Sequence, residues 1–223
     1  MAGVRARHPG SVPSPPQRLR ADAQRNRDQI VAAAARAFVE DGADVPMDEV
    51  ARIAGVGVGT LYRRFADRES LMVAVLQHNL ESLLEKIRTA AEEEPRAWDA
   101  LVRSMSYSRE LRGSLPMTST LPSNLVAAIR ADPAVRRLRH ELAEVTDRLV
   151  AAAQREGTLR SDVGAGDVAQ LFTLVYRATP TTADEMADLG SQRALAVILD
   201  GLRTGDRGSL PGGPLDTGDL ERR

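Results

Sequence analysis

The chain has 223 residues, a formal net charge of −1, no cysteine and only 3% aromatic side chains. Without cysteine there is no disulfide, thiolate nucleophile or cysteine-ligated metal, and no apolar run approaches the ~20 residues of a membrane span. The length suffices for a sizeable core in two domains or sub-domains, and an arginine- and proline-rich beginning without the apolar core of a signal peptide makes the cytoplasm the expected location.

Residues 1–20 contain Pro9, Pro13, Pro15 and Pro16 with few apolar side chains, the composition of a disordered arm. Arg18 and Arg20 stand where such an arm can touch a minor groove or phosphates; a plain solvated linker fits them equally. A first helix is expected near Ala21 to Asp41, burying Ile30, Ala34, Ala37 and Phe38 at i, i+4, i+7 and i+8 and stopping at Gly42.

Residues 47–68 read as two short helices clasped by a glycine turn, completing a helix-turn-helix domain over residues 21–66. Ala51 is small where the helices cross, Gly55 permits the positive φ of the turn, and Val56 and Leu61 lock the helices together. At ~100° per residue, Leu61 and Phe65 fall within about 40° of each other with Val58 close beside them, the stripe expected to be buried. Gly59 and Arg63 lie opposite; Thr60 and Arg64 flank one edge and Tyr62 the other. Such a face suits a major groove, since arginine forks onto guanine or phosphate and hydroxyls reach phosphate oxygens. Gly59 lets the helix approach the bases closely. Two adjacent arginines alone would fit an ordinary solvated face, but the clasp spacing favours DNA.

These residues carry a family resemblance. Ile30 to Ala34, Phe38, Gly42, Met47-Asp48-Glu49-Val50-Ala51, Ala54-Gly55-Val56, Gly59-Thr60-Leu61-Tyr62, Phe65 and Asp67-Arg68-Glu69-Ser70-Leu71 resemble the TetR (tetracycline-repressor-like) family of bacterial transcriptional regulators. The match covers about a quarter of the chain at the motif level, and the Gly-Thr-Leu-Tyr-x-x-Phe run is highly specific. The resemblance implies an all-α protein in which an N-terminal helix-turn-helix domain joins a C-terminal ligand-binding and dimerisation bundle through a long helix. It also implies DNA contacts from Val58, Gly59, Thr60, Tyr62, Arg63, Arg64 and Arg68. Tyr62 and Arg63 are expected on base edges or nearby backbone, and Thr60, Arg64 and Arg68 on phosphates. Pro46 departs from the pattern, standing where the family often has a capping threonine or serine.

The charge is asymmetric. Through Arg68 there are eleven basic and eight acidic side chains, a balance of +3 that leaves −4 for the remainder; so small an excess makes local placement and two copies the expected source of DNA affinity.

Past Asp67, an N-cap, a long helix carries Met72, Leu76, Leu80, Leu83 and Ile87 on one stripe. Glu92-Glu93-Glu94 reads as the connection to a helix opening at Pro95, where acids favour a helix N-terminus. That helix turns Trp98, Leu101, Val102 and Met105 inward. A looser stretch around Gly113 to Pro122, a short helix through Leu125 and Ile129, and a long helix from Asp132-Pro133 to Gly157 follow. Two more helices, about 166–179 and 184–203, complete a domain spanning 67–203. Residues 204–223, rich in glycine and proline, read as a disordered tail.

No catalytic residue, cofactor site or metal site is assigned. Gly55 to Thr60 lacks the Gly-Lys-Ser/Thr ending of a phosphate loop, and His8, His78 and His140 are scattered. Trp98, Met105, Phe172 and Tyr176 are candidate walls of a pocket for an unidentified small-molecule effector, though each also fits an ordinary core position. Leu171, Val175, Leu195, Ile198 and Leu202 are candidates for a homodimer interface formed by the last two helices. The leading expectation is a ligand-responsive homodimeric repressor on a palindromic double-stranded operator, without a membrane partner. The alternative is a helical enzyme or carrier whose N-terminal helices bind a protein. An activator, or a regulator that has lost its ligand, also remains open.

Overall fold

The structure is a computed structural model that describes residues 15–40, 44–110, 123–178, 185–206 and 208–221. Among the described residues there are ten helices: α1 (Pro15–Glu40), α2 (Met47–Ile53), α3 (Val58–Arg64), α4 (Arg68–Glu93), α5 (Ala97–Glu110), α6 (Ser123–Ala131), α7 (Pro133–Arg155), α8 (Ala165–Ala178), α9 (Glu185–Leu202) and α10 (Thr217–Glu221). The sole β-type pairing among these residues is an isolated antiparallel bridge between Leu159 and Arg203. No helix of the described residues is long and apolar enough to cross a membrane.

The head consists of α1, α2, α3 and the first turns of α4. Ile30, Ala34, Ala37 and Phe38 of α1 meet Val50, Ala51, Leu61, Phe65 and Leu71 in one buried cluster, so the predicted spacing is the packing face. α1 begins at Pro15, earlier than the expected Ala21, so its first turns occupy part of what composition reads as a disordered arm. Proline is tolerated in a first helical turn, where its missing N–H would have no partner, and good helix formers follow. The side chains of Arg18 and Arg20 and the predicted stop at Gly42 lie outside the described residues.

α4 is the rod of the molecule, 26 residues or about 39 Å at 1.5 Å per residue. Its start is fixed by a reciprocal cap: the Ser70 amide donates to Asp67 Oδ1 at 2.7 Å, and the Asp67 amide meets Ser70 Oγ at 3.4 Å. Met72, Leu76, Leu80, Leu83 and Ile87 are all buried along it. It extends through Glu93, farther than expected, so the glutamates begin inside a helix C-terminus where their charge is unfavourable. Arg103 of α5 compensates, donating to Glu93 at 2.8 Å and to Glu94 at 3.0 Å.

Below the head, α4, α5, α7 and α8 form a bundle, with α6 bridging α4 and α7 and α9 packed on α8 and α5. Asp132 caps α7 by accepting from the Ala134 and Val135 amides, and the same carboxylate oxygen takes the Gln77 side chain of α4, each at 2.9 Å. At the opposite end, Glu156 accepts from the Ala97 amide at 2.9 Å and so caps α5.

The segment after α9 corrects the expectation of a disordered tail. Residues 203–206 and 208–221 form a strap on the bundle. The Leu210 amide donates to Asp162 at 2.9 Å, Arg160 donates to the Gly208 carbonyl at 2.8 Å, and the Gly166 amide donates to the Leu215 carbonyl at 2.9 Å. Arg160 also donates to the Asp162 carboxylate, and together with the Leu210 N–H this holds that carboxyl well below the usual carboxylate range. At Gly164 and Gly166 a Cβ would run into the Leu215 and Asp216 carbonyls, so the absence of side chains there lets the strap lie down.

Candidate nucleic-acid interface and bundle cavity

The turn between α2 and α3 is closed by backbone alone. Gly55 follows α2 with φ +67°, where a Cβ would add strain. Its amide donates to the Arg52 carbonyl at 3.2 Å, and the Val56 amide donates to the Ala51 carbonyl at 3.0 Å, the paired closure of a Schellman turn. Ala51 and Leu61 are fully buried and Val56 half-buried, as the clasp requires. α2 starts behind Pro46, which provides no side-chain cap. Near its start, Glu49 accepts from Arg52 at 2.6 and 2.8 Å, which pulls the Glu49 carboxyl below its ordinary range.

α3 turns Leu61 inward with Phe65 behind it and leaves Gly59, Tyr62, Arg63 and Arg64 exposed. Thr60 is half-buried, and its hydroxyl oxygen accepts from Arg63 Nη2 at 3.1 Å. This bond holds the guanidinium against the outer face of the helix. Val58 departs from its expected place in the buried stripe: at 43% exposure it sits at the first helical position, one turn ahead of Leu61 and beyond the clasp. The outer surface of α3 therefore presents two cations, a phenol and an aliphatic contact around a glycine.

Arg68 is used differently from its expected phosphate contact. Its Nη1 donates to the Val45 carbonyl at 2.6 Å, and its guanidinium lies 5.8 Å from the centre of the Phe38 ring. It ties α4 to α1 and to the approach to α2. Arg27, which the sequence does not single out, stacks over Phe65 at 5.4 Å.

The bundle holds a cavity of about 380 Å³ that is partly open to solvent, within the usual range for small-molecule sites. α4 contributes Leu83 and Ile87, α5 Leu101, Ser104 and Met105, and α7 the face from Arg139 to Leu149. α8 adds Val168, Ala169, Phe172 and Thr173, and the strap adds Thr217. Of the expected walls, Met105 and Phe172 line this space, and the Tyr176 side chain lies outside the described residues. Trp98 does not line it. That indole is buried at the start of α5, with the Arg203 guanidinium 4.8 Å from its ring.

Two family models match the sequence. Residues 30–75 match the bacterial regulatory proteins of the tetR family, and residues 104–204 match the SbtR-like transcriptional regulator C-terminal domain. An HTH-type transcriptional regulator of Mycobacterium tuberculosis is 30% identical over 176 residues, 77% of this chain and 88% of that protein. The chain belongs to the TetR family.

Among solved structures, a TetR transcription regulatory protein from Mycobacterium vanbaalenii is similar at 32% identity and a TM-score of 0.59, covering 83% of this chain and 99% of its own. A TetR transcriptional regulator from Streptomyces coelicolor aligns at 28% identity and a TM-score of 0.58, covering 79% of this chain and 98% of its own. Membership makes the chain a DNA-binding transcriptional regulator with a helix-turn-helix head, and not an enzyme.

On α8 and α9, burial sorts the candidate interface residues into two groups. Val175, Leu195 and Leu202 belong to the chain's own core, while Leu171 and Ile198 are half-buried. The exposed apolar side chains are Leu174 on α8 and Met186, Leu189 and Val197 on α9. The α9 three fall within an arc of about 80°. The stripe read from the sequence is largely the one that the bundle itself buries.

Arg68 supplies a prediction that separates bracing from DNA binding. Arg68→Ala removes a charge-assisted bond and a ring contact, each worth about 1–2 kcal/mol. A loss near 2 kcal/mol should lower the melting temperature by roughly 4–8 °C and leave the salt slope of operator binding unchanged. Arg68→Lys should recover only part, since ammonium lacks the planar fork. A normal melting curve with a flattened salt slope would restore the phosphate role.

Proposed function

We propose that this regulator is a homodimeric repressor whose heads read a palindromic operator and whose affinity for it is lowered by a small molecule in the bundle cavity. The observation that carries the reading is that one helix serves both places. Leu83 and Ile87 of α4 line the cavity, while the first residue of α4, Arg68, is bonded to the head through Val45. A ligand that presses on the middle of this rod changes where its beginning sits. The Gln77–Asp132 bond couples the same helix to the α6–α7 junction.

In this reading Tyr62 and Arg63 contact base edges or adjacent backbone, with Val58 and Gly59 close to the groove and Thr60 and Arg64 on phosphates. The exposed stripe of Met186, Leu189 and Val197, with Leu174, supports pairing of α8 and α9 with a second copy. Two heads on a common axis then meet half-sites about one DNA turn apart, ~34–36 Å.

The experiment is a gel shift with DNA flanking the coding region, repeated with a ligand found by thermal-shift screening. By linkage, a coupling of ~1–3 kcal/mol weakens operator binding by roughly 5- to 150-fold. A ligand that stabilises the bundle but leaves operator affinity untouched defeats the switch while leaving the DNA-binding role intact. A reporter whose transcription falls when the gene is deleted defeats repression.

A further inference from the structure

The strap lies mostly beyond residues 104–204, the span of the matched C-terminal family model, yet it reaches the cavity. Thr217 lines that space, and its hydroxyl meets Asp147 of α7 at 3.3 Å. The strap is held by backbone and carboxylate bonds. Asp167 Oδ2 accepts from the Gly164 amide at 2.8 Å and from the Leu215 amide at 3.1 Å, stapling the start of α8 to the strap two residues ahead of Thr217. The close approach at Gly164 and Gly166 completes a dock built for this segment.

The lining also limits what can be bound. Ser104, Thr146 and Thr173 donate to the carbonyl one turn back on their own helices at 2.7, 2.8 and 2.9 Å. Their protons are thus committed, and they offer a ligand only oxygen lone pairs. The charged lining residue, Arg139, is itself exposed to solvent. The remaining walls are aliphatic or aromatic apart from Thr217.

We propose that the strap is a wall of the cavity, and that the cavity takes an uncharged, mainly apolar ligand that the docked strap helps to retain. This rests on the effector reading above and adds the ligand class and the element that holds it in. α10 packs on α8 and puts Thr217 at the cavity, so loosening that contact opens one wall while the helices of the core keep the others in place.

The test uses N-phenyl-1-naphthylamine, an uncharged aromatic amine whose fluorescence rises in apolar surroundings. Uptake and release are followed by stopped flow in the full chain, in Gly166→Val and in Thr217→Val. Valine is the better helix former of the pair, so Gly166→Val acts through its collision with the strap. It should speed release at least tenfold. Thr217→Val keeps the shape, loses the Asp147 contact and should speed release a few-fold. Asp167→Asn replaces Gly166→Val if the latter does not fold.

Equal rates and affinities in all variants overturn the proposal, as does the absence of uptake in every one. Operator affinity measured on the same samples separates the two readings. Probe binding that tracks the strap without altering operator affinity leaves the retaining wall standing and removes the effector role. Intact operator binding with no probe uptake removes the retaining wall alone.

Discussion

Replacing Arg63 with alanine is expected to weaken operator binding by about 1–3 kcal/mol and to relax base preference at one position of each half-site. Arg63 projects from the side of α3 opposite Leu61, and the Thr60 hydroxyl steadies its guanidinium at 3.1 Å. Because Arg63 is exposed and bonds to Thr60 on its own helix, the fold should be unaffected and the melting temperature unchanged. Arg64→Ala should behave differently, weakening binding uniformly across sequences and reducing the salt slope by about one unit, as loss of a phosphate contact does. Titrations of specific and scrambled DNA over a range of salt distinguish the two. If neither variant changes affinity, α3 is not the reading helix.

Charging the outer stripe of α9 should have a larger effect. Leu189→Glu with Val197→Glu places two carboxylates on a surface that is already solvent-exposed in the single chain, 48% and 72% respectively. The chain should fold normally but sediment as a monomer. Operator affinity should then fall by about 10²–10⁴-fold, the advantage that joining two binding modules confers. Leu195→Glu is the control. With Leu195 at 7% exposure, a charge there is buried without a partner and should unfold the bundle. A wild-type chain that sediments as a monomer at micromolar concentration would remove the dimer from the proposal.

The features legible in the sequence were those governed by near neighbours. Gly55 adopts the left-handed turn because glycine alone does so without strain, and Leu61 and Phe65 are buried because four residues return to the same face of a helix. Helices expected over about 166–179 and 184–203 are observed as Ala165–Ala178 and Glu185–Leu202, since amphipathic spacing fixes length as well as type. Asp67 was legible as an N-cap, and the return bond from Ser70 came only with the structure.

What escaped depends on tertiary partners. Nothing around Arg68 in the sequence shows that the Val45 carbonyl, 23 residues earlier, will accept its guanidinium. Trp98 has the composition of a pocket wall, but its ring is taken by Arg203 and lies outside the cavity lining. The strap misled for a related reason. Its glycines and prolines look like disorder, yet it docks through backbone amides on Asp162 and Asp167, and composition is blind to such bonds. One local signal was available: Asp216 and Asp219 cap α10 reciprocally, each accepting from the other's amide at 2.7 and 2.9 Å.

The Glu156 cap on α5 has a mechanical consequence. It joins the close of α7 to the opening of α5, next to the Arg103 grip on Glu93 and Glu94 and the Leu159–Arg203 bridge. The end of the bundle remote from the head is therefore bolted by several polar ties within a few residues. Elsewhere the α4–α7 side-chain ties are sparser, Arg88 with Glu141 at 2.9 Å and, nearer the head, Gln77 with Asp132. A clamped beam bends at its free end. Under the proposed switch, volume added to the cavity is expected as displacement toward α6 and the head instead of being shared equally between both ends, giving the bundle a direction as well as a capacity.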